Sequence, residues 1–206
     1  MSEDPTPDVT HGYEAVAARF IDHRATSTVG VATVRTWAQS LARGAAVLDL
    51  GCGSGQPISQ ILVDAGCALH GVEASPSLIA AFRARFPRAP AECNAVERSD
   101  FFARTFDGVI AWGLLFLLRP EEQALVIRKV ARALNAGGQF LFTAPAQACT
   151  WSDLLTGQTS VSLGADAYRQ ILAAAGLTLI DTFIDEGANH YYLAAKAPAA
   201  PNSPPR

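Results

Sequence analysis

Lysine, methionine and net charge are all scarce in this chain. Lys129 and Lys196 are its only lysines, Met1 is its only methionine, and 16 basic against 19 acidic residues leave a net charge of -3 over 206 residues. With no basic field to release counterions from phosphates, binding to long nucleic acid is not expected. The shortage of lysine reads as compositional bias and points to no site.

Long apolar runs are missing as well. The longest, Gly108 to Leu118, covers 11 residues, whereas a membrane-spanning helix needs about 20, so this run reads as a buried strand and its continuation. Met1 to Thr10 carries Glu3, Asp4 and Asp8 with two prolines. It lacks the cationic start and apolar stretch of a signal peptide, and a cytoplasmic location is the expectation. Cys52, Cys67, Cys93 and Cys149 form no CxxC pair and have no histidine at ligand spacing. Neither a disulfide framework nor a metal site is expected, and the four are read as reduced thiols in packed positions.

What is present fits one domain with a real core, since 50% of the residues are hydrophobic and 17% charged. Residues 1–10 and the proline-bearing residues 197–206 are expected to be disordered, leaving residues 11–196 as the folded domain. Apolar residues at helical spacing predict helices over Tyr13 to Ile21 and Val31 to Leu41. Strands and helices then alternate. Strands are predicted at Ala45 to Leu50, Ala68 to Glu73, Pro90 to Ala95, Phe106 to Trp112 and Gln139 to Thr143. Helices are predicted at Gln56 to Ala65, from the Ser75 cap and Pro76 onward, at Pro120 to Leu134 and at Ala165 to Ala175. Gln147 to Ser162 is a loose polar stretch, and Leu177 to Ile184 with Tyr191 to Ala195 reads as a closing antiparallel hairpin. The expected fold is an α/β, Rossmann-like doubly wound sheet of seven strands in one domain.

The sharpest signal is Asp49-Leu50-Gly51-Cys52-Gly53-Ser54-Gly55, where the first strand gives way to a helix. Glycines there allow a tight turn and let a ligand lie against bare backbone. The dinucleotide fingerprint would place its third glycine at position 56, which is Gln56. Glu73 ends the second strand 18 residues after Gly55, and a carboxylate there can accept hydrogen bonds from both hydroxyls of a ribose. No lysine or arginine lies between Asp49 and Glu73 to neutralise a pyrophosphate, so a cationic or zwitterionic nucleoside suits the site.

With these residues in place, the chain resembles the class I S-adenosylmethionine-dependent methyltransferases, from roughly Tyr13 to Lys196. The resemblance implies S-adenosyl-L-methionine as cofactor. It assigns Gly51, Gly53 and Gly55 to the methionine and ribose, Glu73 to the ribose hydroxyls, and Ala74 and Leu78 to the flanks of the adenine. Asn94, Ala95 and Val96 match the segment that contacts the adenine ring, and Ala111 and Trp112 match the segment facing the methionine amine and methyl group. Tyr13 and Arg24 match N-terminal residues that cover the cofactor, while Asp49 and Cys52 stand beside the loop. Trp112 and Phe116 read equally well as core residues, and Arg24 as a surface arginine.

Methyl transfer needs alignment above all, and a general base only if the nucleophile is protonated. Trp151, Asp153, Thr156, Asn189, His190, Tyr191 and Tyr192 are the candidates for acceptor contacts. Among them His190, oriented by Asp153, is the candidate base, with a hydrogen-bonded histidine at a strand start as the other reading. His11, His23 and His70 receive no catalytic role. Methyltransferases acting on amide or nucleobase amines commonly carry an Asn/Asp-Pro-Pro-aromatic string after the fourth strand, where this chain has Ala111-Trp112-Gly113-Leu114. A small-molecule methyl acceptor is therefore expected, with no nucleic-acid or membrane partner. An NAD-dependent oxidoreductase and a non-catalytic S-adenosylmethionine-binding module stay open as alternatives.

Overall fold

A computed structural model describes residues 8–199. The expected disorder of the termini falls mainly on residues 1–7 and 200–206, outside the described residues. Asp8 to Thr10 form a turn, in which the Asp8 carboxylate accepts hydrogen bonds from Thr10 N (2.8 Å), Thr10 Oγ1 (2.6 Å) and Gly12 N (2.9 Å).

Helices α1 (Ala17–Ala25) and α2 (Val31–Ser40) precede β1 (Ala46–Leu50), followed by α3 (Ile58–Asp64), β2 (Ala68–Glu73), α4 (Pro76–Arg85), β3 (Ala91–Cys93) and β4 (Phe106–Ala111). Then come α5 (Pro120–Ala133), β5 (Leu134–Thr143), β6 (Cys149–Ser152), β7 (Thr159–Ser162), α6 (Ala165–Ala174), β8 (Leu177–Ile184) and β9 (His190–Lys196). Seven strands form one sheet in the order β3-β2-β1-β4-β5-β9-β8. β1 pairs in parallel with β2 and β4, while β9 runs antiparallel to both β5 and β8. The seven-stranded α/β sheet with its closing hairpin is thus the architecture observed.

Strand alternation sends successive side chains to opposite faces. Leu48 and Leu50 join the core under α5 and α6 with Val126, Ile127, Tyr168 and Leu172. Val47 joins the core under α2, α3 and α4 with Trp37, Ile61, Ile79 and Phe82. Each fully buried Leu or Phe contributes about 1.5–3 kcal/mol, so both helical layers are held by the sheet. α4 begins as its residues dictate: Ser75 sits in extended backbone and its Oγ accepts from Leu78 N (3.2 Å), with Pro76 in the first turn.

Two expectations are corrected. Gln147 to Ser162 is not a loose stretch, because β6 and β7 pair as an antiparallel ribbon, Thr150 opposite Val161 and Trp151 opposite Ser160. Its turn is built by Asp153, whose Oδ1 accepts from Leu155 N (2.9 Å) and Thr156 N (2.8 Å). The cysteines are not all packed: Cys52 is buried, but Cys93 and Cys149 are exposed. Among the described residues no helix is long and apolar enough to cross a membrane.

Candidate active site

A cleft of about 280 Å³ opens at the carboxyl ends of β1, β2 and β4, where open α/β sheets bind ligands. Tyr13, Arg24, Asp49, Gly51, Cys52, Gly53, Glu73, Ala74, Leu78, Ala95, Val96 and Trp112 all line it, as does Asp153.

The floor is the loop after β1. Gly51 and Gly53 have φ of +66° and +55°, a region costly to other residues. A Cβ on Gly53 would lie 3.0 Å from the Phe20 ring. Gly53 N donates to Glu73 Oε2 (2.9 Å) and Ser75 N to Glu73 Oε1 (2.8 Å), so one carboxylate ties the glycine loop to the start of α4. Burial pushes the Glu73 carboxyl up, and backbone hydrogen bonds from Ser75, Gly53 and Ala74 pull the other way. Asp49 accepts a hydrogen bond from Ser59 Oγ. Its complete burial raises its pKa to about 7, with the Ser59 bond and Arg24 opposing.

Arg24 settles the choice between surface and interior. It is only 7% exposed, its guanidinium carbon lies 4.2 Å from the centroid of the Trp112 ring, and it makes no ion pair among the described residues. Burial lowers its pKa. Trp112 is fixed in turn, since its Nε1 donates to Tyr191 Oη (2.7 Å) and Tyr191 donates to Asp185 Oδ2 (2.8 Å). The indole therefore serves as wall and as platform for the cation.

At the other end, Val96 and Glu97 line the cleft beside Leu78. Their loop is pinned by Lys129, whose Nζ donates to the carbonyls of Val96 (2.9 Å), Glu97 (2.9 Å) and Ser99 (2.6 Å). Lys196, the other lysine, likewise ties Ala131 O and Leu134 O. Both lysines staple backbone, a role invisible in composition.

Four expected residues stand elsewhere. Gly55, at φ +83°, is needed for packing: a Cβ there would meet the Phe86 ring at 2.3 Å. Asn94 is not in the wall, because its Nδ2 donates back to Glu92 Oε1 (2.7 Å). Ala111 is wholly buried in the core under α5. His190 packs against Tyr192 with ring centroids 4.7 Å apart and the rings tilted by 58°, outside the cleft. The His190–Asp153 pair does not form, since Asp153 is engaged by Tyr13 Oη (3.0 Å) and by its own turn. Burial pushes the Cys52 thiol well up, which makes it inert.

Sequence reasoning missed the outer wall. Val9, Thr10, His11, Phe20, His23, Leu114, Leu117 and Leu155 line the cleft, with Phe116, whose ring packs at a tilt on Trp151, centroids 5.2 Å apart. The N-terminal segment and the ribbon turn close over one another: Tyr13 bonds Asp153, Arg19 Nη2 donates to Leu155 O (2.7 Å), and Gly12 packs on Thr156. No local pattern marks such a long-range closure.

The sheet order, with its antiparallel β9 beside β5, and the glycine loop leading from β1 into α3 are those of the class I methyltransferases. Residues 47–138 match the methyltransferase domain family. That part of the chain is a methyltransferase domain, and the fold as a whole is the Rossmann-like methyltransferase fold. Solved structures share the fold. The CcbJ methyltransferase from Streptomyces caelestis aligns with a TM-score of 0.73 at 18% identity, covering 94% of this chain and 100% of that one. The 1,6-didemethyltoxoflavin-N1-methyltransferase from Burkholderia thailandensis, solved with S-adenosylhomocysteine, gives 0.65 at 21% identity, covering 95% and 93%. A sugar N-methyltransferase from Streptoalloteichus sp gives 0.67 at 19% identity, covering 87% and 92%. No curated protein matches the chain.

Proposed function

We propose that this methyltransferase acts on a small molecule that reaches the cofactor past Tyr13 and Asp153. The closure of the N-terminal segment over the ribbon turn carries this reading, because it encloses the outer cleft on two sides and favours a compact acceptor. The chain's acidic balance, which offers no field to a polyanion, supports it too.

The cleft's residues suit S-adenosyl-L-methionine. Arg24, a buried guanidinium without an ion pair among the described residues, is matched by a carboxylate such as that of methionine. Glu73 can accept from ribose hydroxyls on the lone pairs left by its backbone hydrogen bonds. Leu78, Ala74, Ala95 and Val96 offer an apolar slot for a base, and Asp49 an acceptor beside the loop. When bound, the cofactor supplies an electrophilic methyl on a sulfonium. That methyl would pass to an acceptor lone pair, the carbon–sulfur electron pair staying with the sulfur, and a protonated acceptor would give up its proton to solvent. The protein's contribution is alignment and the exclusion of water by the Tyr13–Asp153 closure.

The test is turnover of methyl-labelled S-adenosylmethionine with a panel of small amines, alcohols and thiols. Labelled product from one of them is expected. Cofactor binding without product across the whole panel would favour a non-catalytic binding module.

A further inference from the structure

Resting on that reading, we propose that Asp153 selects the acceptor: its Oδ2 takes the ammonium group of a small amine whose body lies on the apolar wall beside it. The two carboxylate oxygens have different work. Oδ1 accepts from Leu155 N, Thr156 N and Thr156 Oγ1 at 2.9, 2.8 and 3.1 Å, which builds the ribbon turn. Oδ2 accepts, among the described residues, from Tyr13 Oη alone, at 3.0 Å, and keeps lone-pair capacity in a residue that lines the cleft.

Position follows from Tyr13. Its ring meets Phe20 edge-on at 5.3 Å, and Phe20 lies against Gly53, so Tyr13 stands between the glycine loop and Asp153. Asp153 is therefore beyond the residues suited to the cofactor, in the part of the cleft left for the acceptor. Leu155, in the same turn, and Phe116, packed on Trp151, give the cleft an apolar wall on the ribbon side, with His11 also close to Asp153.

His11 is coupled to the Asp153 charge, but burial favours its neutral form, and Asp153 is in no ion pair among the described residues. Every hydrogen bond to Asp153 comes from a neutral donor, and no lysine or arginine among the described residues forms an ion pair with it. A half-buried carboxylate met only by neutral donors pairs best with a cation, and charge-assisted hydrogen bonds are the strong ones. A carboxylate or phosphate on the acceptor would be repelled at the same place.

The experiment measures binding of arylalkyl amines, and of the alcohols and carboxylates of the same skeletons, to wild-type protein saturated with S-adenosylhomocysteine, and repeats it with Asp153→Asn. Asparagine keeps an oxygen for the ribbon turn. Wild type is expected to bind the amines at least tenfold tighter than the carboxylates, and Asp153→Asn to erase that preference while its affinity for S-adenosylhomocysteine holds. Equal binding of the three head groups by wild type, or binding of no amine, overturns the proposal even if the variant fails to fold. A wild type that does not bind S-adenosylhomocysteine defeats the cofactor reading itself, a separate outcome.

Discussion

Arg24 lies over the face of Trp112, its guanidinium carbon 4.2 Å from the ring centroid, and both side chains line the cleft. A buried cation held by an aromatic face, and in no ion pair among the described residues, is poised for an anion. Arg24→Leu should retain the fold and weaken S-adenosylhomocysteine binding by about 2 kcal/mol, the scale of a hydrogen bond to a charged group. Calorimetric titration at fixed pH measures it, and unchanged affinity would remove Arg24 from the site.

Asp49 gives a pH signature. Its pKa in the folded chain is raised by burial to about 7, so the fold favours the protonated form. From about pH 4 to 7 the unfolded chain has lost this proton and the folded chain keeps it, and stability from this group falls as pH rises. Thermal melts across that window should show a decline that Asp49→Asn flattens. Cationic ligand groups beside Asp49 favour its ionised form, so cofactor affinity of wild type should drop as pH falls below about 7, and less so in the variant.

His190 packs at a tilt on Tyr192, with Nδ1 buried and without a hydrogen-bond partner among the described residues. His190→Phe should leave kcat and KM unchanged and hold or raise thermal stability, because it removes an unsatisfied polar atom. A large loss of kcat at constant KM would restore His190 as a base.

Gly55 tests packing against ligand contact. Gly55→Ala places a Cβ 2.3 Å from Phe86 at φ +83°, and overpacking with backbone strain should cost about 2–4 kcal/mol of stability. Urea unfolding would show it. A variant of normal stability with weakened cofactor binding would return Gly55 to the ligand.

Legibility differed between the halves of the site. Gly51, Gly53 and Glu73 were readable because a tight turn and a strand-end carboxylate are local demands, satisfied within one βαβ unit. The packing role of Gly55 was not readable because its reason, Phe86, lies two helices and a strand further along the chain. The packing of His190 was not readable because strand alternation puts Tyr191 under α2 beside Trp112 and sends Tyr192 to the opposite core, with His190 tilted against it. The β6–β7 ribbon hid in a polar stretch whose register depends on the Asp153 turn. His11, Phe20 and Leu155 reach the cleft only through the closure of two segments remote in sequence.

Titration of S-adenosylhomocysteine into wild type and Glu73→Ala tests the central claim most directly. Single-site binding by wild type is expected, weakened by roughly 1–3 kcal/mol in the variant, whose loss leaves the ribose hydroxyls unpaired. Binding of NAD by wild type with none of S-adenosylhomocysteine would contradict it.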